Sequence, residues 1–295
     1  MAHFTVVGNP IAARPLQNGL YLVATPIGNL GDITLRALET LAAADLIACE
    51  DTRVTAKLLR HFSIATPMTS YHEHNASRAG PRLIERLRLG ASIALVSDAG
   101  SPLISDPGIR LVESAHEAAI PVHPIPGPSA PVAAITASGL AGTAYLFAGF
   151  LPTRAKARRD RLAVLAAIPA ALVLFESPNR LCAALRDIGE VLGAGRQICV
   201  AREITKLHEE FRKGTATMLL DHYASSGVRG EVVLVVAAPQ AAETEPDLDG
   251  VLKRLMKSET VSRAAMLAAS ETGISRKTVY ARALQLSEKA TTGRR

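Results

Sequence analysis

Short apolar runs alternate with amphipathic segments through the first half of this sequence, and that alternation limits the possible folds more than any other feature. Residues 19–24, 46–49 and 93–96 are apolar runs of strand length, while the segments between them repeat apolar residues at helical spacing. This pattern is typical of a parallel sheet with crossover helices. Polar loops rich in Gly and Pro follow the runs, so we expect them to gather at the carboxyl edge of the sheet, where open α/β sheets bind ligands.

The second half of the sequence has the pattern of a mixed α+β domain. Its first two apolar runs, residues 145–150 and 171–175, are separated by a helical segment with a basic start. We therefore predict an α/β chain with two main domains, residues 20–141 and residues 142–240. Residues 1–19 are rich in Pro, Gly, Asn and Gln, and this composition predicts a flexible lead-in.

Composition places the chain among globular proteins. Its 295 residues are 48% hydrophobic and 20% charged, which is enough apolar material for a large core. No stretch approaches the roughly 20 apolar residues of a membrane span, and the first 20 residues lack a signal-peptide pattern. Three scattered cysteines, Cys49, Cys182 and Cys199, form no Cys-x-x-Cys pair and no disulfide framework. We therefore expect a protein of the reducing cytoplasm.

Positive charge is concentrated in the last part of the chain. The formal net charge is +6, and residues 251–295 hold ten Lys or Arg against three acidic residues, whereas the rest of the chain holds 23 against 24. After an acidic linker at residues 241–250, residues 261–280 have the pattern of a helix-turn-helix. Arg276 and Lys277 lie at the start of its second helix and are candidate nucleic-acid contacts. The charge and the motif together favour a nucleic-acid partner. They do not decide whether the tail contacts DNA, RNA or a ribosomal protein.

A stiff polar loop at residues 97–108 is the main candidate for the wall of a binding site. Two prolines restrict its backbone, while Gly100 and Gly108 permit unusual dihedral angles or the close approach of a ligand. The loop at residues 25–32 holds two further glycines, which suits an adenosyl-type ligand close to the backbone. It lacks both the G-x-G-x-x-G pattern of dinucleotide-binding proteins and the Lys of a phosphate loop.

Other common kinds of catalytic site find little support in the sequence. His72 and His74 lack a third ligand at metal-binding spacing, so we predict no metal site. No G-x-S-x-G elbow occurs, which argues against a serine hydrolase.

Five segments of the sequence, in order, resemble the tetrapyrrole methylase superfamily. They are residues 25–30, 97–108, 126–130, 149–152 and 230–236. Four stretches are similar to one branch of it, which methylates the ribose 2′-oxygen of a cytidine in 16S ribosomal RNA: TPIGNL, CEDTR, YHEHN and FESPNR. The resemblance covers about residues 19–285. It has two departures, Asn179 where His is expected and Ala76 where an acidic residue is common.

The resemblance implies a two-domain class III methyltransferase fold with a small C-terminal helical extension. It also implies a homodimer that binds S-adenosylmethionine between its domains and acts on 16S rRNA or the 30S subunit. The residues it places at the cofactor are Pro26, Asp98, Ala99, Gly100, Ser101, Ser129, Ala130 and Phe150. Their chemistry agrees with that role, because Asp98 suits a cationic cofactor and serine hydroxyls can hold its polar ends.

Methylation of a ribose hydroxyl needs a group that handles the proton of a weak acid. The candidates are Glu176, Glu50, Asp51, His72 and Glu73, with Glu176 preferred as the base. Arginine can bind phosphate through two parallel hydrogen bonds. The candidate contacts to RNA are Arg53, His72, Arg180, Arg276 and Lys277. A salt bridge at the edge of the cleft is the competing interpretation of each pairing between an acid and an arginine.

Three other functions stay open at this point. A tetrapyrrole methyltransferase would share the fold and the cofactor, but a small macrocycle does not need a cationic tail, whereas a large anionic substrate does. A DNA-binding regulator would use the helix-turn-helix and leave the stiff loops of the first half without a role. A nucleotide-binding enzyme of another class would lack the usual phosphate-binding signatures.

Overall fold

The computed structural model of this chain describes residues 2–103, 108–239 and 247–292. The chain divides into two compact units, residues 1–239 and residues 240–295. The first unit is built on two five-stranded sheets and a small hairpin. Part of the 97–108 loop and most of the expected linker lie outside the described residues. Among the helices that the structure describes, none is long and apolar enough to cross a membrane.

The N-terminal stretch folds as a hairpin. Strand β1 (His3–Val6) pairs antiparallel with β2 (Asn9–Ala12). Phe4 is 3% exposed and belongs to the hydrophobic core of the first sheet. The flexible lead-in expected over residues 1–19 is therefore incorrect for residues 3–12. Composition misses this hairpin because Gly, Asn and Pro occupy residues 8–10, at its turn and the start of β2. The strand pattern is limited to Phe4 and Val6, which pack on the core.

The first sheet is entirely parallel, as predicted. Its strands, in the spatial order β5-β4-β6-β3-β7, are β3 (Gly19–Val23), β4 (Leu46–Cys49), β5 (Met68–Ser70), β6 (Ser92–Val96) and β7 (Val122–Ile125). The helices that follow these strands are α1 (Leu35–Ala43), α2 (Thr52–His61), α3 (Ala76–Arg88), α4 (Ile109–Glu117) and α5 (Ala130–Ser138). Helices α1 and α2 cover one face and α3 and α4 cover the other. Burial on both faces explains why the central strands are continuous apolar runs.

The second sheet is mixed, as predicted. Its strands, in the spatial order β11-β10-β12-β9-β8, are β8 (Tyr145–Phe150), β9 (Ala171–Glu176), β10 (Ile198–Arg202), β11 (Glu210–Gly214) and β12 (Val232–Val236). Only the β8–β9 pair among them is parallel. One face packs on α6 (Ala155–Ala166), α7 (Leu181–Leu192) and α8 (Ala216–Ser226). The other face packs on α5, so the last helix of the first half joins the two sheets.

Strand β11 is not expected from the sequence. Its sequence, EFRKG, holds three charged residues and one large apolar residue. The strand lies at the edge of the sheet and pairs only with β10. Charged side chains are common on edge strands because they discourage pairing with other chains, and they also hide the strand pattern.

The second unit consists of three helices in the described residues, α9 (Leu248–Leu255), α10 (Val261–Thr272) and α11 (Arg276–Thr292). Helices α10 and α11 form the predicted helix-turn-helix, and Gly273 ends α10 in the left-handed conformation. Helix α9 is an addition, because it begins inside the linker expected over residues 241–250. The Asp247 carboxylate caps it by accepting a hydrogen bond from the Gly250 N–H at 2.8 Å. Small buried alanines allow the three helices to pack closely.

Candidate active site

A cavity of about 400 Å³ lies where the carboxyl edge of the first sheet meets the second sheet. The first half contributes the loop after β6 and the start of α5, and the second half contributes the ends of β8 and β9 and the start of β12. Six of the eight expected cofactor residues line this cavity: Ala99, Gly100, Ser101, Ser129, Ala130 and Phe150. The structure therefore brings together most of the expected set from segments far apart in the sequence.

Two backbone hydrogen bonds fix the cavity wall. The Thr25 N–H donates to the Gly100 carbonyl at 2.9 Å, and the Gly100 N–H donates to the Thr25 carbonyl at 3.0 Å. The Thr25 hydroxyl also donates to the Ser97 carbonyl at 3.1 Å. These bonds tie the loop after β6 to the loop after β3, so this part of the wall is formed before a ligand arrives.

Pro26 and Asp98 do not line the cavity. Ile27, the neighbour of Pro26, lines it instead. The Asp98 carboxylate accepts a hydrogen bond from the Asp51 N–H at 3.1 Å and so connects the loops after β6 and β4. The placement of these two residues at the cofactor stays a prediction, whereas the bond to Asp51 gives Asp98 a role in holding the edge of the sheet together.

Glu176 is the buried acid of the cavity. It ends β9, lines the cavity and is 3% exposed. Burial raises the pKa of its carboxyl above the usual range, although the Ser177 N–H and Arg180 act in the opposite direction. The Ser177 N–H donates to one carboxylate oxygen at 2.8 Å. A carboxylate with a raised pKa in an apolar wall is a suitable general base.

Arg180 lies within the wall of the site and not on an open surface. Its Nη2 donates to the Glu176 carboxylate at 3.2 Å and to the Leu151 carbonyl at 2.5 Å. The side chain is 26% exposed. The guanidinium therefore links the end of β9 to the loop after β8, which is the salt-bridge interpretation, and its expected contact with RNA stays a prediction.

Asp51 and Glu50 lie outside the cavity lining. The Asp51 carboxylate caps α2 by accepting from the Arg53 N–H at 2.8 Å, and it forms an ion pair with the Arg53 guanidinium at 2.6 Å. These bonds, the arginine side chain first, lower the pKa of Asp51 to about 2. Such a carboxylate is a weak base, so the structure favours Glu176 over Asp51. Glu50 is half-buried at the end of β4.

His72 lies at the outer end of the same sheet edge. It follows β5, the edge strand, in a turn where its N–H donates to the Asn75 side chain at 2.9 Å. Its ring lies 6.0 Å from that of His74, measured between centroids. Among the described residues, no group of three or more His, Cys, Asp or Glu side chains is placed to hold a metal ion. The two departures from the family pattern also have defined positions. Asn179 is exposed three residues after Glu176, and Ala76 is the first residue of α3.

The second sheet contributes a rim of charges that the sequence does not reveal. The Lys206 ammonium lies 2.9 Å from Glu203 and 3.1 Å from Glu231. Glu231 and Ile204 both line the cavity. The hydrogen bond from Lys206 lowers the pKa of Glu203. Antiparallel pairing of β10 with β12 brings the loops of these residues together. The segment at residues 230–236, one of the five that carry the family resemblance, is the sequence signal nearest to them.

Arg276 and Lys277 lie in the second unit, exposed in the first turn of α11. The Ser275 hydroxyl accepts a hydrogen bond from the Thr278 N–H at 3.3 Å, as expected of an N-cap. Arg282, by contrast, is held by Asp249 through bonds of 2.8 and 2.7 Å. Arg276 and Lys277 are the better candidates for contact with nucleic acid.

Gly28 brings the two halves of the wall into contact, and Gly28→Ala is expected to disturb it. A Cβ at this position would lie 2.5 Å from the Lys206 side chain, 2.8 Å from the Thr205 hydroxyl and 2.9 Å from the Ile204 carbonyl. Overpacking of this kind costs about 1–3 kcal/mol. Denaturant unfolding should show that loss, and calorimetry should show weaker binding of the adenosyl-type ligand that the sequence predicts. Gly142→Ala, where a Cβ meets nothing within 4 Å, is the control, and equal behaviour of the two variants would contradict the prediction.

Comparison with known proteins identifies the class to which this fold and cavity belong. Residues 19–220 match the family model described as Tetrapyrrole (Corrin/Porphyrin) Methylases, and residues 242–287 match the model described as RsmI C-terminal HTH domain. A solved structure of uroporphyrin-III C-methyltransferase from Thermus thermophilus, complexed with S-adenosyl homocysteine, has the same fold. It is 18% identical, with a TM-score of 0.53, and the match covers 74% of this chain and 97% of that one. The fold and the site define a methyltransferase of the tetrapyrrole methylase class.

Two curated relatives narrow the assignment. A protein of Mesorhizobium japonicum is 54% identical over 280 residues, which is 94% of this chain and 95% of that protein. A protein of Synechocystis is 47% identical over 272 residues, covering 90% and 98%. Both carry the name ribosomal RNA small subunit methyltransferase I. The chain belongs to the ribosomal RNA small subunit methyltransferase I family, and the resemblance drawn from its sequence is confirmed.

The residues around the cavity fit S-adenosylmethionine, the cofactor of this class of enzyme. The volume lies within the usual range for small-molecule sites. The N-terminus of α5 offers backbone N–H groups to a carboxylate, and the Ser129 hydroxyl makes no capping bond there. Phe150 is 57% exposed in the cavity wall, so a flat ring can stack on it. Glu176 and Glu231 supply negative charge for a cationic ligand.

Proposed function

We propose that this chain methylates the ribose 2′-oxygen of a cytidine in 16S rRNA, and that it acts on the 30S subunit as a homodimer in the cytoplasm. The observation that carries this proposal is the 54% identity, over 94% of the chain, to a relative named for the ribosomal RNA small subunit. The stretches CEDTR, YHEHN and FESPNR support the narrower choice of ribose, because they resemble the branch of the superfamily that methylates a ribose 2′-oxygen. The positively charged second unit suits a large anionic substrate.

The chain's own residues have three proposed tasks at the cofactor. S-adenosylmethionine supplies a methyl group made electrophilic by its sulfonium. The start of α5 binds the carboxylate end, Phe150 and Ile27 enclose the ring system, and the loop at Gly100 keeps the wall in place. Holding the reacting groups in line supplies much of the acceleration of such a transfer.

Glu176 is the proposed general base. Two acidic side chains line the cavity among the described residues, and they differ in environment. The Glu231 side chain is 73% exposed and paired with Lys206, whereas the Glu176 side chain is fully buried and its pKa is raised. In the proposal, Glu176 takes the proton of the attacking hydroxyl, and Arg180 holds the carboxylate in position.

Arg276 and Lys277 are proposed to bind the RNA backbone. Replacing both with Ala should raise KM for 30S subunits several-fold and lower the slope of log affinity against log salt by about 1–2, because each phosphate contact contributes about 0.7–1 to that slope. Filter binding at several salt concentrations measures the slope. Arg263→Ala is the matched control, since Arg263 lies in the same unit but is paired with Glu259. Weaker cofactor binding in the double variant would instead make these residues part of the catalytic fold.

The substrate class is tested by offering labelled S-adenosylmethionine with 30S subunits, free 16S rRNA or a tetrapyrrole precursor extract. The proposal predicts label in 16S rRNA. Label in the extract alone would keep the fold and the cofactor but replace the substrate with a macrocycle. Purified protein that binds DNA and transfers no label would favour a regulator.

A further inference from the structure

Helix α3 carries a row of arginines without acidic partners. Arg78, Arg82 and Arg86 recur every fourth residue and are exposed. Residues at this spacing lie on one face of a helix, here the face away from the buried Leu83 and Leu87. Among the residues that the structure describes, none of the three arginines lies within 4.0 Å of a carboxylate oxygen. We call this set the α3 arginine row.

The absence of acidic partners distinguishes this row from two other exposed arginines of the first unit. Exposed Arg14 and Arg53 each pair with a carboxylate, at 2.7 and 2.6 Å. Helix α3 contains one acid, Glu85, against four arginines. Asp45 lies near enough to Arg86 for a small effect on its pKa, but hydrogen bonds from Ser92 are the larger cause of its lowered pKa. The row is therefore a surface of concentrated positive charge that the protein itself does not neutralise.

The position of the row connects it to the active site. Helix α3 begins at Ala76, directly after the His72 turn at the carboxyl end of β5. That end lies on the same sheet edge as the cavity, and β5 is the outermost strand. Arg78 is thus nearest the edge, and each following member lies about 6 Å further along the helix axis. This step is comparable with the spacing of neighbouring phosphates in an RNA strand.

We propose that the α3 arginine row binds consecutive phosphates of the substrate RNA as the strand leaves the active site. This inference rests on the proposed function and adds a binding surface to it. Guanidinium groups suit this partner because they bind phosphate with paired hydrogen bonds and stay charged. Beyond the active site the strand passes His72, meets Arg78 first, and follows the helix toward Arg86.

The test compares three variants of the full chain on 30S subunits. Replacing Arg78, Arg82 and Arg86 together with Ala should lower the salt slope of binding by about 2. Between 50 and 200 mM salt, wild-type affinity should then fall about 20-fold more than that of the variant. Replacing the same three with Lys should keep most of the slope. Arg60→Ala removes an exposed arginine in the last turn of α2 that forms no ion pair with any residue the structure describes, and it should leave the slope unchanged.

Two further readouts separate the outcomes. Binding of S-adenosylmethionine should be equal in all variants, since the row lies outside the cavity lining. An unchanged slope in the triple Ala variant overturns the inference while methyl transfer to RNA by the wild type still supports the proposed function. A change in oligomeric mass by sedimentation in that variant also overturns it, because the row would then bind protein. A wild type that methylates no RNA removes both proposals.

Discussion

Glu176→Gln is expected to lower kcat by about 10²–10⁴-fold, the usual contribution of a positioned general base. Glutamine has the size of glutamate and its amide oxygen can still accept from the Ser177 N–H, so the wall should keep its shape. It cannot take up a proton. The measurement is single-turnover transfer of labelled methyl to 30S subunits with both substrates saturating.

Glu210→Gln is the matched control for this variant. Like Glu176, Glu210 is paired with arginine, here with Arg202 at 3.1 Å and Arg212 at 2.8 Å, but it lies on β11 outside the cavity lining. Its replacement should change kcat less than about fivefold, the equivalent of a surface ion pair worth up to about 1 kcal/mol. Full turnover in Glu176→Gln would exclude Glu176 as the base.

The pH dependence of the rate is a second test of Glu176 as the base. Only the ionised form can accept a proton, so the rate should fall as pH drops through the pKa of Glu176, which burial raises. Arg180 opposes that shift. Arg180→Met should therefore raise the pKa further and move the acid limb of the profile to higher pH. A limb that stays in place would show that another group controls it.

Asp187→Asn is expected to lower the free energy of unfolding by about 3–5 kcal/mol, because it leaves a buried arginine without its counter-charge. The Arg158 Nε lies 2.6 Å from the Asp187 carboxylate, and the two side chains are 7% and 5% exposed. Arg158 also donates to the Thr153 carbonyl at 3.1 Å. The pair joins α6 to α7 on the face of the second sheet that these helices cover. Urea unfolding followed by circular dichroism measures the loss.

The exposed pair of Arg14 and Glu39 is the natural comparison. Its atoms approach to 2.7 Å, nearly the same distance, but the arginine side chain is 85% exposed. Glu39→Gln should cost less than about 1 kcal/mol. Equal losses in the two variants would mean that burial does not decide the strength of the Arg158–Asp187 pair.

Much of the site could be predicted because parallel strands align their carboxyl ends. Glu176 and Ser129 each end or follow an apolar run, and the sheets bring them to one cavity. Asp98 follows the same rule, yet its carboxylate is held by the Asp51 N–H. Sequence spacing does not show which backbone donor lies across from a side chain. A loop carboxylate could therefore be placed at the edge of the sheet, but its bonding partner could not.

The parts that could not be predicted depend on pairing between distant segments. Ile204 and Glu231 reach the cavity because β10 and β12 are antiparallel neighbours. The hairpin at Phe4 is held by tertiary contacts, because Phe4 and Val6 pack on a distant core and the Thr5 N–H donates to the Phe62 carbonyl. Helix α9 begins in an acidic stretch with a glycine, and this composition predicts a linker. The helix forms there because the Asp247 carboxylate caps its first turn. In each case specific contacts outweigh local composition.

The position of the transferred methyl group tests the central claim most directly. Labelled 16S rRNA from treated 30S subunits is digested to nucleosides and analysed by mass spectrometry, and a parallel sample is cleaved with alkali. We predict label in 2′-O-methylcytidine at one position, where the blocked hydroxyl makes the following phosphodiester resistant to alkali. Label on a base, on another nucleoside or only in a tetrapyrrole would contradict it.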